Sequence, residues 1–450
     1  MPRIAPLLAS LLLLPLQSFG AGAVTDDRPA IYRQYREAFD AGDLQKALPL
    51  AVRVVELTSN QFGNEAVELV NPLTNVATTL YRLKQHGEAI DAYRRALTLL
   101  DQEGDATDPR FVVPLHGLGA TLRAMGRDEE AIVPLKRAVD IIRNRDGLHA
   151  PAQLPILRAL VASYEAVGRT EDAGREHQYA FTIAEQAWGA NDPRMIEALE
   201  ELADWYEATG RYTAARLLHM RAVEIADREQ PMSLKAIGPL RGIARAYRLA
   251  FIHGENSQAA MTAPEDLPDS LRRAAVVNLS VPSSDGERAL RDALQRLEPL
   301  GASRAAERGT VLAELGDWYR IAGVTQRAMG TWRDAWNELN VAGDTSLLAR
   351  PVPVIYRAPP VATSQRKQDS DEYGVQEIEL RASIGPDGTL REVTVANPAP
   401  ERESAERAVI AALRRAVWRP AFDRGQPVAT GDYVFRETVY VKLPREERRN

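Results

Sequence analysis

A period of 42 residues runs through the first half of the chain and constrains its fold more than any other feature. Ala47, Ala89, Ala131, Ala173 and Ala215 are each separated by 42 residues, and Gly42, Gly126, Gly168 and Gly210 recur in the same phase, with Lys84 at the one place where a glycine is missing. Self-similarity at a period of roughly 20 to 50 residues marks stacked supersecondary units. Around each alanine the apolar residues follow helix spacing. One unit reads Leu115, Leu118, Leu122, Gly126, Ala131, Leu135, Ala138; the next reads Leu157, Leu160, Tyr164, Gly168, Ala173, His177, Ala180; the following reads Leu199, Leu202, Tyr206, Gly210, Ala215, His219, Ala222. Two antiparallel helices joined at the glycine satisfy this pattern. Glycine permits the positive φ of a tight turn, and the small alanine lets the second helix approach the first closely.

A late copy, Leu312, Leu315, Gly316, Tyr319, Gly323, Ala328, Trp332 and Ala335, matches the spacing of the tetratricopeptide repeat. The 42-residue step exceeds the usual length of about 34 and resembles the longer repeats of kinesin light chain. Five units in phase, a degenerate sixth around Leu240 to Ala260 and the late copy predict a mainly α chain. One such unit cannot bury its own apolar face, so the units stack, and the resemblance implies a superhelix with a hollow surface for a protein or peptide. The register places Thr74, Thr78 and Tyr81 on that surface, then His116, Ala120 and Arg123. Arg158, Ala162 and Glu165 follow, and then Glu200, Asp204 and Glu207. The expected partner-binding groove (Tyr81, Arg123, Arg158, Glu165, Glu200, Asp204, Glu207) thus runs from polar and basic to acidic, which suits a dipolar or basic peptide.

Residues 252–300 interrupt the rhythm. Gly254, Asn256, Ser257, Pro264, Pro268, Pro282, Ser283 and Gly286 read as an irregular insertion with short helices near 266–275 and 286–298. The last repeat is placed at 301–345. Prolines at 351, 353, 359 and 360 then mark a Pro-rich linker over 346–372, read as an extended tether.

Beyond the linker the period falls to two. Ile378, Leu380, Ala382 and Ile384 alternate with polar residues, Gly385-Pro386-Asp387-Gly388 turns the chain, and Val393 and Val395 alternate again. Ser404 to Val417 has helix spacing, and Asp432 to Leu443 reads as a final strand. The order is strand, strand, helix, strand. With Pro386-Asp387-Gly388 before Val393-Thr394-Val395, the helix Ala405 to Arg415, Trp418-Arg419-Pro420-Ala421 and Gly425-Gln426-Pro427-Val428, residues 373–444 resemble the C-terminal domain of TonB, the transducer that contacts outer-membrane receptors. The expected fold is therefore a helical solenoid followed by a small α+β (ββαβ) domain. Trp418 and Phe422 are expected in its sheet–helix core. The resemblance implies that the edge of the last strand (Tyr433, Phe435, Glu437, Val439, Val441) receives an extended segment by strand addition.

The N-terminus has Arg3, an apolar run from Ile4 to Leu16 and then Ala21-Gly22-Ala23, the order of a secretory signal cleaved after residue 23. Repeats then occupy 24–251. A membrane span needs about 20 apolar residues, and no later segment approaches that, so the mature chain is expected to be a periplasmic or secreted protein with no integral membrane span. The chain has no cysteine, which removes disulfides, thiol catalysis and cysteine metal sites. Fifty-six Lys and Arg against 62 Asp and Glu leave a net charge of −6, so nucleic acid is not an expected partner. The six histidines show no metal-ligand spacing, and nucleophile-elbow, phosphate-loop and dinucleotide motifs are missing. Neither cofactor nor metal is expected, and His177 and His219 are read as packing residues. The expectation is a non-enzymatic scaffold that holds a peptide or protein in its groove and a second partner, an outer-membrane receptor or envelope complex, at the strand edge. A TonB-type energy transducer, or an accessory in receptor-dependent transport, is the alternative.

Overall fold

The computed structural model describes residues 27–253, 284–363 and 372–442. The expected signal segment, the short helix near 266–275 and part of the linker lie outside them. The chain divides into two compact units, Met1–Arg145 with Ala162–Gly168, and Asp146–Val161 with Arg169–Asn450.

In the first unit, helices α1 (Arg28–Asp40), α2 (Leu44–Phe62), α3 (Val70–Arg82), α4 (His86–Glu103), α5 (Val112–Ala124) and α6 (Asp128–Asp146) form pairs. Ala47, Ala89 and Ala131, each the fourth residue of the second helix in its pair, are 0% exposed. The second helices are 18 or 19 residues long, and a 3-10 turn precedes both α3 and α5, which accounts for a period longer than that of the commonest repeat. The turn inside each pair needs a left-handed residue. Gly42 and Gly126 supply it at φ 78° and 71°, and Lys84 adopts φ 62° at the equivalent place. A side chain in that region carries a steric penalty that glycine does not.

α7 (Leu154–Ala166) begins in the second unit, which continues with α8 (Thr170–Trp188), α9 (Met195–Ala208), α10 (Tyr212–Glu229), α11 (Ile237–His253), α12 (Ser284–Leu297), α13 (Ala305–Ile321) and α14 (Thr325–Val341). α11 packs on both α10 and α12, so α12 is the second helix of the sixth repeat. The last part of the insertion expected at 252–300, with its short helix near 286–298, is therefore the second helix of that repeat. Buried Arg296 of α12 fastens the pair to α10 through the carboxylate of Asp227 and the backbone oxygen of Ser233, at 2.5 and 3.0 Å.

The C-terminal region holds β1 (Val352–Ile355), α15 (Pro360–Thr363), β2 (Tyr373–Ile384), β3 (Leu390–Val395), α16 (Glu403–Arg414), β4 (Val417–Arg419), β5 (Ala421–Asp423), β6 (Gln426–Val428) and β7 (Thr430–Lys442). The main sheet has the antiparallel order β3-β2-β7; two further ladders join β1 to β4 and β5 to β6. Ile378, Leu380, Ile384 and Val439 share one face, buried with Val409 and Leu413 of α16, Trp418 and the half-buried Tyr356, Val361 and Ala362.

This region is not tethered at a distance from the last repeat. Residues 352–355, expected within the tether, form a strand. Phe422, expected in the sheet–helix core, leaves it and joins the core of the repeats with Val354, its ring 6.3 Å from that of Trp332 at an interplanar angle of 71°. The β5–β6 hairpin makes this approach possible. Arg424 and Gly425 both have positive φ, the geometry of a tight two-residue turn, and a Cβ built on Gly425 would lie 3.4 Å from the Trp336 ring.

Two outcomes are expected. Lys84→Gly should relieve the left-handed lysine and stabilise the first unit by up to about 1 kcal/mol, read as a higher denaturation midpoint; an unchanged or lower midpoint would show that Lys84 carries no strain. Phe422→Ala should destabilise the last repeat as well as the small domain, by about 3 kcal/mol. Loss of the domain's structure with the environment of Trp332 intact would refute that shared core.

Candidate partner-binding surface

The surface is built from the first helices of successive repeats. On α9, Leu199, Leu202 and Tyr206 are buried, which sends Glu200, Asp204 and Glu207 to the other side of the helix or its margin. On α11 the corresponding buried residues are Leu240, Ile243 and Ala244, which leave Arg241, Arg245 and Arg248 at the matching places. On α13 the same side carries Glu314 and Asp317.

These stripes alternate in sign and pair with one another. Arg158 of α7 meets Glu197 and Glu201 of α9 at 2.9 and 2.6 Å. Arg245 engages both Asp204 and Glu207. Arg241 holds Glu314 with two hydrogen bonds, 2.9 and 2.6 Å, and Arg248 lies 3.7 Å from Asp317. The series ends on the small domain. Arg419 of β4 donates to both oxygens of Asp317 at 3.1 Å, standing where the arginine of a further repeat would stand. Burial pushes the Asp317 carboxyl up, and the positive charge of Arg419 and then Arg248 opposes that rise.

The seven residues expected in the groove therefore fall into different settings. Glu207 is buried, hydrogen-bonded to His219 Nε2 at 3.2 Å and ion-paired to Arg245; its neighbour Asp204 is exposed but bound to the same guanidinium. Arg158 is exposed and engaged by α9, and Glu165 is exposed on α7. In the first unit, Arg123 pairs with Asp128 at 3.3 Å, and Tyr81 packs on the His86 ring at 5.7 Å. Glu200 rests on α11, where a Cβ on Gly238 would come within 2.5 Å of its oxygen. Burial raises the Glu200 and Glu201 carboxyls above the usual range.

Asp204, Glu207 and His219 bring ligand atoms within 4.8 Å of one another, a geometry that suits a metal ion. The Arg245 guanidinium already bonds both carboxylates, supplying the positive charge that an ion would bring. His219 is fully buried against Gly242, where a side chain would collide with its ring, so packing accounts for it. His177 stacks on Trp205 at 5.7 Å. The arginine stripe of α11 eluded the sequence reading because repeat six is degenerate; its only signal was the spacing of Arg241, Arg245 and Arg248, which places them on one helix face.

On β7, Tyr433, Phe435, Glu437, Val439 and Val441 alternate toward the helix-covered face, buried or half-buried, while Val434, Arg436 and Thr438 are exposed on the other. Tyr356 donates its hydroxyl to Glu437, which satisfies a carboxylate turned toward the core side. β2 is the only ladder partner of β7 among the described residues, so β7 forms one edge of the main sheet.

The sequence profile of the tetratricopeptide repeat matches residues 38–102 and 152–228. Comparison with curated protein sequences returns no match. Similar solved structures include the nearly identical tetratricopeptide-like repeats of a kinesin light chain from Podospora anserina, at 20% identity and TM-score 0.42, covering 46% of this chain and 97% of that one. The C-terminal part of a repeat-containing protein from Cytophaga hutchinsonii has 13% identity and TM-score 0.43, covering 70% of this chain and 97% of that one. BtubC from P. vanneervenii has 17% identity and TM-score 0.38, over 56% of this chain and 95% of that one. Residues 38–102 and 152–228 are thus tetratricopeptide repeats, the kind of helical array that serves as a scaffold for protein or peptide partners.

Proposed function

We propose that this chain is an exported, non-enzymatic adaptor. Its tetratricopeptide repeats hold an extended peptide across the first helices, and its C-terminal domain takes a second partner on the open edge of β7. The observation that carries the reading is the conjunction of a repeat array with a sheet edge whose backbone has one ladder partner among the described residues. A strand of 13 residues offers enough main-chain groups for an incoming segment to extend the sheet. The strand order and the Pro386-Asp387-Gly388, Trp418-Arg419-Pro420-Ala421 and Gly425-Gln426-Pro427-Val428 segments support a TonB-like module, and with it a partner in the outer membrane or an envelope complex.

On the repeat face the ligand meets charges already paired internally. Near α9 the balance is acidic: Glu197 and Glu201 share one arginine, Arg158, and Glu200 stands beside Asp204 and Arg245. A basic side chain of the peptide is the natural complement. A TonB-type transducer or its accessory in transport is the competing reading. No helix among the described residues is long and apolar enough to cross a membrane, and the N-terminal apolar run lies outside them. Recovery of a mature N-terminus near Val24 in the soluble periplasmic fraction supports the adaptor, and an uncleaved inner-membrane form supports the transducer.

The absence of cysteine makes the edge directly testable. Thr438→Cys, treated in cells with a thiol crosslinker, should give a discrete adduct with an envelope protein, while Arg407→Cys on α16 should not. Equal labelling at both, or none along β7, would remove strand addition. For the repeat face, affinity for a lysine-rich peptide should fall as pH drops from neutral toward the ordinary carboxylate range, because the raised carboxyls of Glu200 and Glu201 take up protons before ordinary carboxylates do. Their folded pKa values lie above the unfolded ones, so the same protonation contributes stability that grows as pH falls through the raised values. Binding and stability should therefore move in opposite directions. Peptide affinity that is flat over this window, or unchanged by Glu200→Gln, would remove the basic-peptide assignment.

A further inference from the structure

Asp317 lies where the repeat face meets the small domain. It sits on α13 in the stripe that continues Asp204 and Arg245, and it is 5% exposed. Three donor groups from three elements surround it. Arg419 Nη1 of β4 lies 3.1 Å from each oxygen, and Trp332 Nε1 of α14 donates to Oδ1 at 3.1 Å. Arg248 Nη1 of α11 stands farther off at 3.7 Å from Oδ2, with 31% of its side chain exposed. Glu314, one turn earlier on α13, is held by Arg241.

Two guanidinium groups thus address one buried carboxylate, and they are not equivalent. Arg419 belongs to the small domain and makes the short bonds. Arg248 belongs to the repeats, stands just beyond hydrogen-bond distance and keeps part of its surface in solvent. A buried carboxylate stripped of its cation is strongly unfavourable, so if Arg419 is withdrawn, the neighbour able to compensate is Arg248. Arg248 can close on Asp317 by rotating about its flexible stem.

We propose that Asp317 is a shared counter-ion coupling the docking of the small domain to the freedom of Arg248 on the repeat face. With the domain docked, Arg419 satisfies Asp317 and Arg248 is available to a carboxylate of a bound peptide, from an acidic side chain or a C-terminus. With the domain lifted, Arg248 turns to Asp317 and leaves the face. By thermodynamic reciprocity, a ligand carboxylate that engages Arg248 favours the docked domain to the same extent that docking favours the ligand. The peptide half of this statement rests on the function proposed above; the exchange between the two arginines does not.

The exchange is measured on the full chain without any partner. Phenylglyoxal modification of Arg248, followed by peptide mass spectrometry, should slow by about five-fold or more in Arg419→Met, since Asp317 then claims Arg248. Adding Asp317→Asn to Arg419→Met should restore the rate. Buried Arg296 serves as the internal standard for folding. If Arg419→Met exposes Arg296, Arg419→Lys, which keeps the charge on a shorter reach, takes its place, with a smaller slowing expected. A rate at Arg248 that is unchanged or higher in a folded Arg419 variant overturns the proposal. Thermal midpoints give a second reading: Arg248→Met should lower the midpoint little alone, and by several-fold more when Arg419 is also replaced. Strict additivity overturns the shared role. Failure of the crosslinking and peptide experiments would remove the adaptor function and leave this result standing.

Discussion

Each helix pair in this protein has an apolar face too large for the pair to bury, and the architecture follows from that shortage. Contact is close because alanine stands at the fourth residue of every second helix from α2 to α10 and again at Ala328, each with no exposed surface. A larger side chain there would push the helices apart by more than packing could recover. The same shortage recurs at the C-terminal end, where Trp332 and Leu339 would face water if the array simply stopped. The small domain answers it with Phe422 and Val354, which enter the repeat core.

Charge follows the same logic along the face of the first helices. Arg158, the acids of α9, the arginines of α11, the acids of α13 and Arg419 alternate in sign, and each stripe pairs with the next. Partly exposed pairs contribute little stability individually. Their regular alternation matters more for register, because sliding one helix along its neighbour would set like charges together. It also means that a ligand on this face exchanges with internal partners instead of meeting bare charge, which favours selectivity over affinity. The small domain completes the array twice over, once with an aromatic ring and once with an arginine.

The repeat face and the edge strand β7 consequently share a framework. β1 pairs with β4, Tyr356 reaches Glu437 on β7, and Arg357 donates to the backbone oxygens of Phe251 and Ile252 at the end of α11. A segment with the proline content of a spacer is thereby bound at successive points to the sheet and the repeats. A partner held on β7 would be presented in a set orientation to the end of the repeat array, not on a free lead.

The sequence alone determined the helix pairs, their turn positions and the hairpin, helix and final strand of the C-terminal region. Those features depend on interactions among residues a few positions apart, where periods of 3.6 and 2, a glycine or a Pro-Asp-Gly turn leave a direct trace. Lys84 shows how far this reaches: the 42-residue phase demanded a left-handed residue there even though the residue type argues against one. What only the tertiary structure decided are contacts between distant residues. Phe422 had the character of a core residue but not its address. The tether contained a strand, since β1 exists only through β4 some 65 positions later. The acids of α9 looked like a free acidic surface until the arginines of α11 met them, and neither stripe carries a mark of the other in its local pattern. Periodicity reports which face of a helix is apolar; it cannot report what a charged face lies against, because that is set by the angle and register at which whole elements pack.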